Sequence, residues 1–256
     1  MKTVILAGGH GTRMSGYNSS EAKPMVTIGK IPILKHIMDI YRPFGHNDFV
    51  ICMGKNQDKI VDWVRSNLEN DYNITIETPS GKKPAKSKKS KSGGIVLVDT
   101  GENTMTGGRL KRVEHHLGER FMMTYGDGVA NVDIGKLIAE HGSRGKLATV
   151  TLVEAEERYG SVETDVNGIV TDFVEKAKKT ISGGFFVLQK KVLEMVEGDE
   201  TAFEKDVMPL LAKIGELAAY RHHGFWHGMD TPADRDELNR IWNTGHAPWN
   251  LQKGQK

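Results

Sequence analysis

Short apolar runs without polar alternation alternate, over the first half of the chain, with segments whose apolar residues recur at helical spacing. Lys2–Ala7 (KTVILA), Asp48–Cys52 (DFVIC) and Phe121–Tyr125 (FMMTY) read as strands buried on both faces. Shorter strands are expected at Asn73–Glu77 and Ile95–Val98. Between them, Pro32–Tyr41 carries Ile33, Leu34, Ile37 and Ile40 on one stripe, with Pro in its first turn. Lys59–Leu68 presents Ile60, Trp63, Val64 and Leu68, and helices are also expected over Gly108–Leu117 and Val132–His141. Alternation of this kind predicts a parallel sheet with right-handed crossovers. The character changes after Ala148: strands at Ala148–Val153, Gly160–Glu163, Ile169–Val174 and Gly183–Leu188 follow with few helices between them. Asp165-Val166-Asn167-Gly168 has tight-turn chemistry, and helices return at Lys190–Val196, Phe203–Ile214 and Pro232–Trp242. Without a repeat or a linker, the pattern predicts one α/β domain over 1–256. Its core is a Rossmann-like open, mostly parallel sheet flanked by helices, with a smaller β-rich region after about residue 147.

Composition alters this picture at two places. The single Cys52 excludes an intrachain disulfide framework and fits a reducing compartment. The net charge of +2 hides six lysines in GKKPAKSKKSKSGG; without them the remainder carries −4. Poor in apolar residues, segment 80–94 is expected to be a mobile loop: a solvated insertion first, otherwise an electrostatic lid over phosphates or a contact to an acidic partner. It lacks interleaved aromatics and any nucleic-acid motif, so nucleic acid is not an expected partner. No run is long enough to cross a bilayer, and Met1-Lys2 leads straight into a strand, so the expected location is the cytoplasm.

The candidate chemistry begins where the first strand ends. Leu6-Ala7 runs into Gly8-Gly9-His10-Gly11-Thr12-Arg13, followed by Lys23-Pro24-Met25. Residues without Cβ let the backbone approach a ligand closely, and their N–H groups can converge on an anion. The spacing fits neither GxxxxGK[ST] nor GxGxxG. Arg13 and Lys23 add cations, so a polyphosphate site is expected, and Pro24 should bias Lys23 toward extended backbone. Ligands of open α/β sheets sit at strand carboxyl ends, where FMMTY delivers Gly126-Asp127-Gly128. Asp230 precedes the helix at Pro232; it is either that helix's cap or, with Asp127, a ligand for one Mg²⁺. Adjacent histidines (His115-His116, His222-His223) point in different directions on regular backbone and make poor chelates. Cys52, Met122 and Met123 fit core packing.

VILAGGHGTR, AKPM, DTGENTMTGGRLKRV, YGDGV, GGFFV, GFWHGMDT and TGHAPW, in this order along nearly the whole chain, resemble the glucose-1-phosphate cytidylyltransferase family. The resemblance implies an enzyme joining CTP to glucose 1-phosphate with release of pyrophosphate. It implies Mg²⁺ (Mn²⁺ as the other ion), a homo-oligomer, and a place in making activated sugars for surface polysaccharide. It places Gly8, Gly9 and Gly11 around the CTP phosphates, Leu6, Ala7 and Thr12 with them in the nucleotide site, Arg13 on the leaving oxygens and Lys23 at the α-phosphate. Thr106, Gly107 and Gly108 would face cytosine, and Asp127 and Asp230 would ligate the metal. Gly128, Glu175, Lys176, Ser182, Gly183 and Trp226 would meet the acceptor. Residues 1–147 then form a nucleotide half and 148–256 an acceptor half. The chain departs from the family at Glu21, at Ala177, at Ser182 where Asn is usual, and at His227-Gly228, mostly in the acceptor half. A different phosphate ester is therefore the alternative acceptor, and a nucleotide-binding regulator without catalysis the alternative class.

Overall fold

The computed structural model describes residues 1–9, 22–79, 81–84, 93–156, 160–175 and 177–251. The first half contributes β1 (Thr3–Leu6), the short hairpin β2 (Thr27–Ile28) and β3 (Ile31–Pro32), α1 (Ile33–Tyr41), β4 (Phe49–Met53), α2 (Gln57–Leu68), β5 (Tyr72–Thr78), β6 (Gly81–Pro84) and β7 (Gly93–Asp99). Then come α3 (Thr106–Arg112), β8 (Arg120–Tyr125), β9 (Gly128–Ala130) and α4 (Ile134–Arg144). The second half adds β10 (Ala148–Glu156), β11 (Ser161–Thr164), β12 (Val170–Val174), β13 (Lys178–Gln189), α5 (Met208–Lys213), β14 (Leu217–Arg221), β15 (Trp226–Gly228) and α6 (Pro232–Asn243).

Nine strands form one sheet in the order β14-β10-β13-β8-β1-β4-β7-β5-β6. β1 pairs in parallel with β4 and β8, as β7 does with β4 and β5. β13 runs antiparallel between β8 and β10, so the sheet is mixed but mostly parallel, as expected for the α/β class. β1 sits at its centre with Thr3 to Leu6 all buried, which is why the run needs no polar alternation. Ile5, Ile51 and Met122 point into one core with α1, α2, α4 and α6, while Val4, Leu6, Val50 and Met123 point into the other with α3 and α5. Cys52 belongs to the second core, and burial pushes its thiol up to about 12, so it is an inert filler.

Several expectations needed adjustment. Residues 81–84 lie inside the segment expected to be a mobile loop, yet they pair with β5 as an edge strand; residues 80 and 85–92 lie outside the described residues. The 108–117 helix stops at Arg112 and continues as a 3₁₀ turn, Glu114–His116. Lys190–Met195 is 3₁₀, and the helix at Phe203 opens with a π-helical turn before α5. The strands β9, β14 and β15 were not legible, since runs of three to five residues show no usable period. The turn at 165–168 formed as its residues suggest: Asp165 Oδ1 accepts from the N–H of Asn167 and Ile169, and Gly168 takes φ +81°. β11 and β12 flank it as a separate two-stranded ribbon, on which Val162, Ile169, Val170 and Phe173 are exposed. No helix among the described residues is long and apolar enough to cross a membrane.

Candidate active site

The carboxyl end of β1 is where the elements converge. Gly126 N–H donates to the Leu6 carbonyl at 3.0 Å, and Ala7 N–H to Cys52 at 3.0 Å, so the chain leaving β1 is fixed on both sides. A Cβ at Gly8 would fall 2.3 Å from an Arg109 guanidinium nitrogen, whereas one at Gly9 would meet nothing within 4 Å. The first glycine is therefore dictated by packing. Arg109, 2% exposed, donates Nη1 to the carbonyls of Met53 (2.9 Å) and Gly101 (2.8 Å) and to Thr100 Oγ1 (2.7 Å). Its Nη2 donates to the Glu102 carbonyl at 3.1 Å. Burial lowers its pKa. A buried cation on uncharged acceptors ties the glycine turn to loop 99–102, and sequence reading missed it because one Arg inside TGGRLKR carries no distinguishing signal. Gly11, Thr12 and Arg13 lie outside the described residues.

Lys23 stands on the other side of the turn. Its Nζ donates to Asp127 Oδ2 at 2.7 Å and to Asp230 Oδ1 at 2.8 Å. Burial alone would lower the Lys23 pKa, but the two carboxylates outweigh it and hold it above the ordinary value. Pro24 does not hold Lys23 extended as expected. Ala22 is extended instead, and Lys23–Met25 forms a 3₁₀ turn in which the fixed φ of proline fits. The side chain of Pro24 reaches to 3.1 Å from where a Gly126 Cβ would stand, which sets Lys23 beside the residue preceding Asp127.

Asp127 and Asp230 meet because β9 and β15 pair antiparallel, with Gly128 opposite Gly228 and Ala130 opposite Trp226. Met229 N–H then donates to the Asp127 carbonyl at 2.7 Å. Asp230 is not the cap of α6. Thr231 is, in a capping box with Asp234, so the Asp230 carboxylate is left to face Lys23. Two carboxylates sharing one ammonium form an all-oxygen donor set of the kind a hard divalent cation takes.

Next to the two aspartates, β13 bulges opposite β10 between Val150 and Leu152. There Gly184 adopts φ +78° with Tyr125 packed against it, and a Gly183 Cβ would meet Val153 at 2.8 Å. Trp226 Nε1 donates to the Gly183 carbonyl at 2.7 Å. A small cleft lies between Asp127, Gly128, Ser182, Gly183, Trp226 and Asp230, so the structure gathers four of the six expected acceptor residues with both aspartates. Glu175 sits in an exposed turn after β12, and Lys176 lies outside the described residues.

In the stretch expected to face cytosine, Thr106, Gly107 and Gly108, the two glycines are held by packing. The Thr201 carbonyl accepts from the N–H of both glycines, and a Cβ on either would fall 2.7 Å from the 199–201 segment. They are packing residues that seat α3. Thr106 Oγ1 donates to Glu204 Oε2 at 2.6 Å, and Tyr125 Oη donates to Glu204 Oε1 at 2.5 Å. Glu204, which ties α3 to Tyr125 beside a second cavity that shares Tyr125 and Ser182 with the cleft, was not flagged by any motif.

A family model for nucleotidyl transferases matches residues 2–231. The glucose-1-phosphate cytidylyltransferase of Salmonella typhi is 41% identical over 97% of this chain and 98% of its own. The probable glucose-1-phosphate cytidylyltransferase of Bacillus subtilis (strain 168) is 38% identical, over 98% and 100%. Among solved structures, HddC from Yersinia pseudotuberculosis superposes with a TM-score of 0.70 at 25% identity, covering 94% of this chain and 99% of that one.

Proposed function

The chain belongs to the nucleotidyl transferase family, in its glucose-1-phosphate cytidylyltransferase branch, and from that membership we propose the reaction CTP plus glucose 1-phosphate to CDP-glucose plus pyrophosphate. The observation that carries the proposal is the Lys23 ammonium held between Asp127 and Asp230 at the mouth of the glycine turn. In this reaction an oxygen of the sugar phosphate attacks the α-phosphorus of CTP. The bond from that phosphorus to the bridging oxygen breaks, and its electron pair leaves with pyrophosphate. The nucleophile is already an anion at neutral pH, so no base has to remove a proton. The barrier lies in bringing two polyanions together in line, and the chain's task is positioning and charge neutralisation.

Each residue has a part in that task. The N–H groups of the turn after Leu6 receive phosphate oxygens, and Lys23, kept protonated by its two neighbours, stabilises charge at the α-phosphate. Asp127 and Asp230 would hold Mg²⁺, or Mn²⁺, whose charge would neutralise phosphate oxygens. Arg13 would take the leaving oxygens. Arg109 fixes the Gly101 and Glu102 carbonyls beside Gly8. Ser182, Gly183 and Trp226 would receive the sugar phosphate. Apolar side chains exposed on the β11–β12 ribbon suit a homo-oligomer, and the lone buried thiol suits the cytoplasm.

Pyrophosphate release with CTP, Mg²⁺ and a panel of phosphate esters tests this reading. Release that is fastest with glucose 1-phosphate is the expected result. Release only with another ester would move the acceptor, and binding of CTP without release from any ester would make the protein a regulator. In the same assay Lys23→Ala is expected to lower kcat about 10²- to 10³-fold, the usual cost of removing one group from developing transition-state charge. Near-normal turnover in that variant would overturn the role given to Lys23.

A further inference from the structure

Away from the cleft, Glu77 near the end of β5 faces the 3₁₀ turn after α3. His115 Nε2 lies 3.0 Å from Glu77 Oε1, and His116 Nε2 lies 2.9 Å from Glu77 Oε2. The sequence expectation that adjacent histidines diverge is wrong here. The turn is 3₁₀ and not regular helix or strand, the two rings approach to 4.1 Å between centroids, and both present the same nitrogen to one carboxylate. The backbone that carries them is pinned: Lys2 Nζ donates to the His116 carbonyl at 2.8 Å, and His116 N–H donates to Val113 at 2.9 Å.

We propose that Glu77, His115 and His116 form a second metal site, for a divalent transition ion of the zinc class. The three donor atoms lie within 4.8 Å of one another. Around a tetrahedral ion with bonds of about 2.0–2.1 Å they would stand about 3.4 Å apart, so no pair has to close by more than about 1.5 Å. His115, with its side chain 49% exposed, can supply that movement, while Glu77 (17%) and His116 (12%) form the fixed part. Two imidazoles and one carboxylate are a borderline-soft set that favours zinc, nickel or copper. Mg²⁺ and Mn²⁺ prefer oxygen donors, which the Asp127–Asp230 pair offers instead.

Bound metal would join the end of β5 to the turn after α3 through residues 38 apart in sequence, Glu77 and His115. That makes the site a structural staple, distinct from the transfer reaction. It would brace α3, which carries Arg109 and packs on segment 199–201.

The test is metal retention by the whole protein. Purified protein stripped with a chelator is loaded with Zn²⁺ in excess Mg²⁺, dialysed, and assayed for bound zinc; Co²⁺ loading reads the ligand field by visible absorption. We expect one zinc per chain, a tetrahedral Co²⁺ spectrum and a raised Tm. His115→Ala and Glu77→Gln are expected to lose zinc affinity at least about 10- to 100-fold, since even outer-shell changes cost that much. Asp127→Asn should retain zinc. Circular dichroism confirms folding, and His116→Gln, which can keep a hydrogen bond to Glu77, separates ligation from packing. Failure of the wild type to retain zinc, retention by His115→Ala and Glu77→Gln, or loss in Asp127→Asn alone would each overturn the proposal.

Discussion

At the scale of single residues, the cleft depends on what two neighbours forbid. Gly8 has no room for a methyl group because the Arg109 guanidinium occupies that space. The guanidinium cannot swing away, since its donors are used by Met53, Thr100, Gly101 and Glu102. Gly8→Ala is therefore expected to displace either the turn or the guanidinium, leaving buried carbonyls unpaired at about 1–3 kcal/mol each. Gly9→Ala, which adds its methyl to open space, is the control. Chemical denaturation of both variants, with CTP affinity measured alongside, checks this; equal behaviour of the two would remove Arg109 from the argument. Gly8 was legible as a close-approach position, although it is Arg109 that fills the space a methyl group would need. Lys23, Asp127 and Asp230 were legible as a charged cluster because each stands in a short Gly- or Pro-marked motif at the end of an element. Arg109 and Glu204 were not, because what marks them out is their contact with distant residues, Gly8 and Met53 for Arg109 and Thr106 and Tyr125 for Glu204, which a local pattern does not register.

At the scale of elements, the geometry of α6 decides what Asp230 can do. Thr231 Oγ1 accepts from Asp234 N–H at 3.2 Å, while Asp234 Oδ2 accepts from the N–H of Asp230 at 3.0 Å and of Thr231 at 2.7 Å. The cap thus fixes the backbone of the aspartate as well as the helix. Thr231→Ala is expected to cost about 1 kcal/mol of stability and, through a less well-held Asp230, to lower kcat more than that loss alone predicts. Thermal melts and turnover measured together check this, and a variant with lower Tm but unchanged kcat would show that the cap serves the helix only. The strand–helix alternation of the first half was readable from apolar spacing. The β9–β15 ribbon was not, although it brings the two aspartates together, because three-residue strands have no period to read.

At the scale of the whole molecule, the last residues of the described chain close over α1. Trp249, 1% exposed, donates Nε1 to His36 Nδ1 at 3.3 Å, so the His36 proton sits on Nε2 and is given to the Ile28 carbonyl at 3.1 Å. Burial holds the His36 pKa below 6.5, and burial lowers that of His141 likewise. The unfolded chain therefore takes up protons first, and stability, fully present above about pH 6.5, falls as pH drops below it. His36→Gln, melted across this range, should show a shallower pH dependence than the wild type; an unchanged slope would exclude the ring as a source. The single sheet also has an outlier: the β11–β12 ribbon stands apart from it, and Val166 at its tip is fully exposed. Opening the chain there would leave Asp127 on one piece and Asp230 on the other, with every pairing of the nine-stranded sheet still available to both. Two co-expressed fragments meeting at residues 166 and 167 would then make a split enzyme, inactive apart and competent together, whose pyrophosphate signal reports that two tethered partners have come into contact.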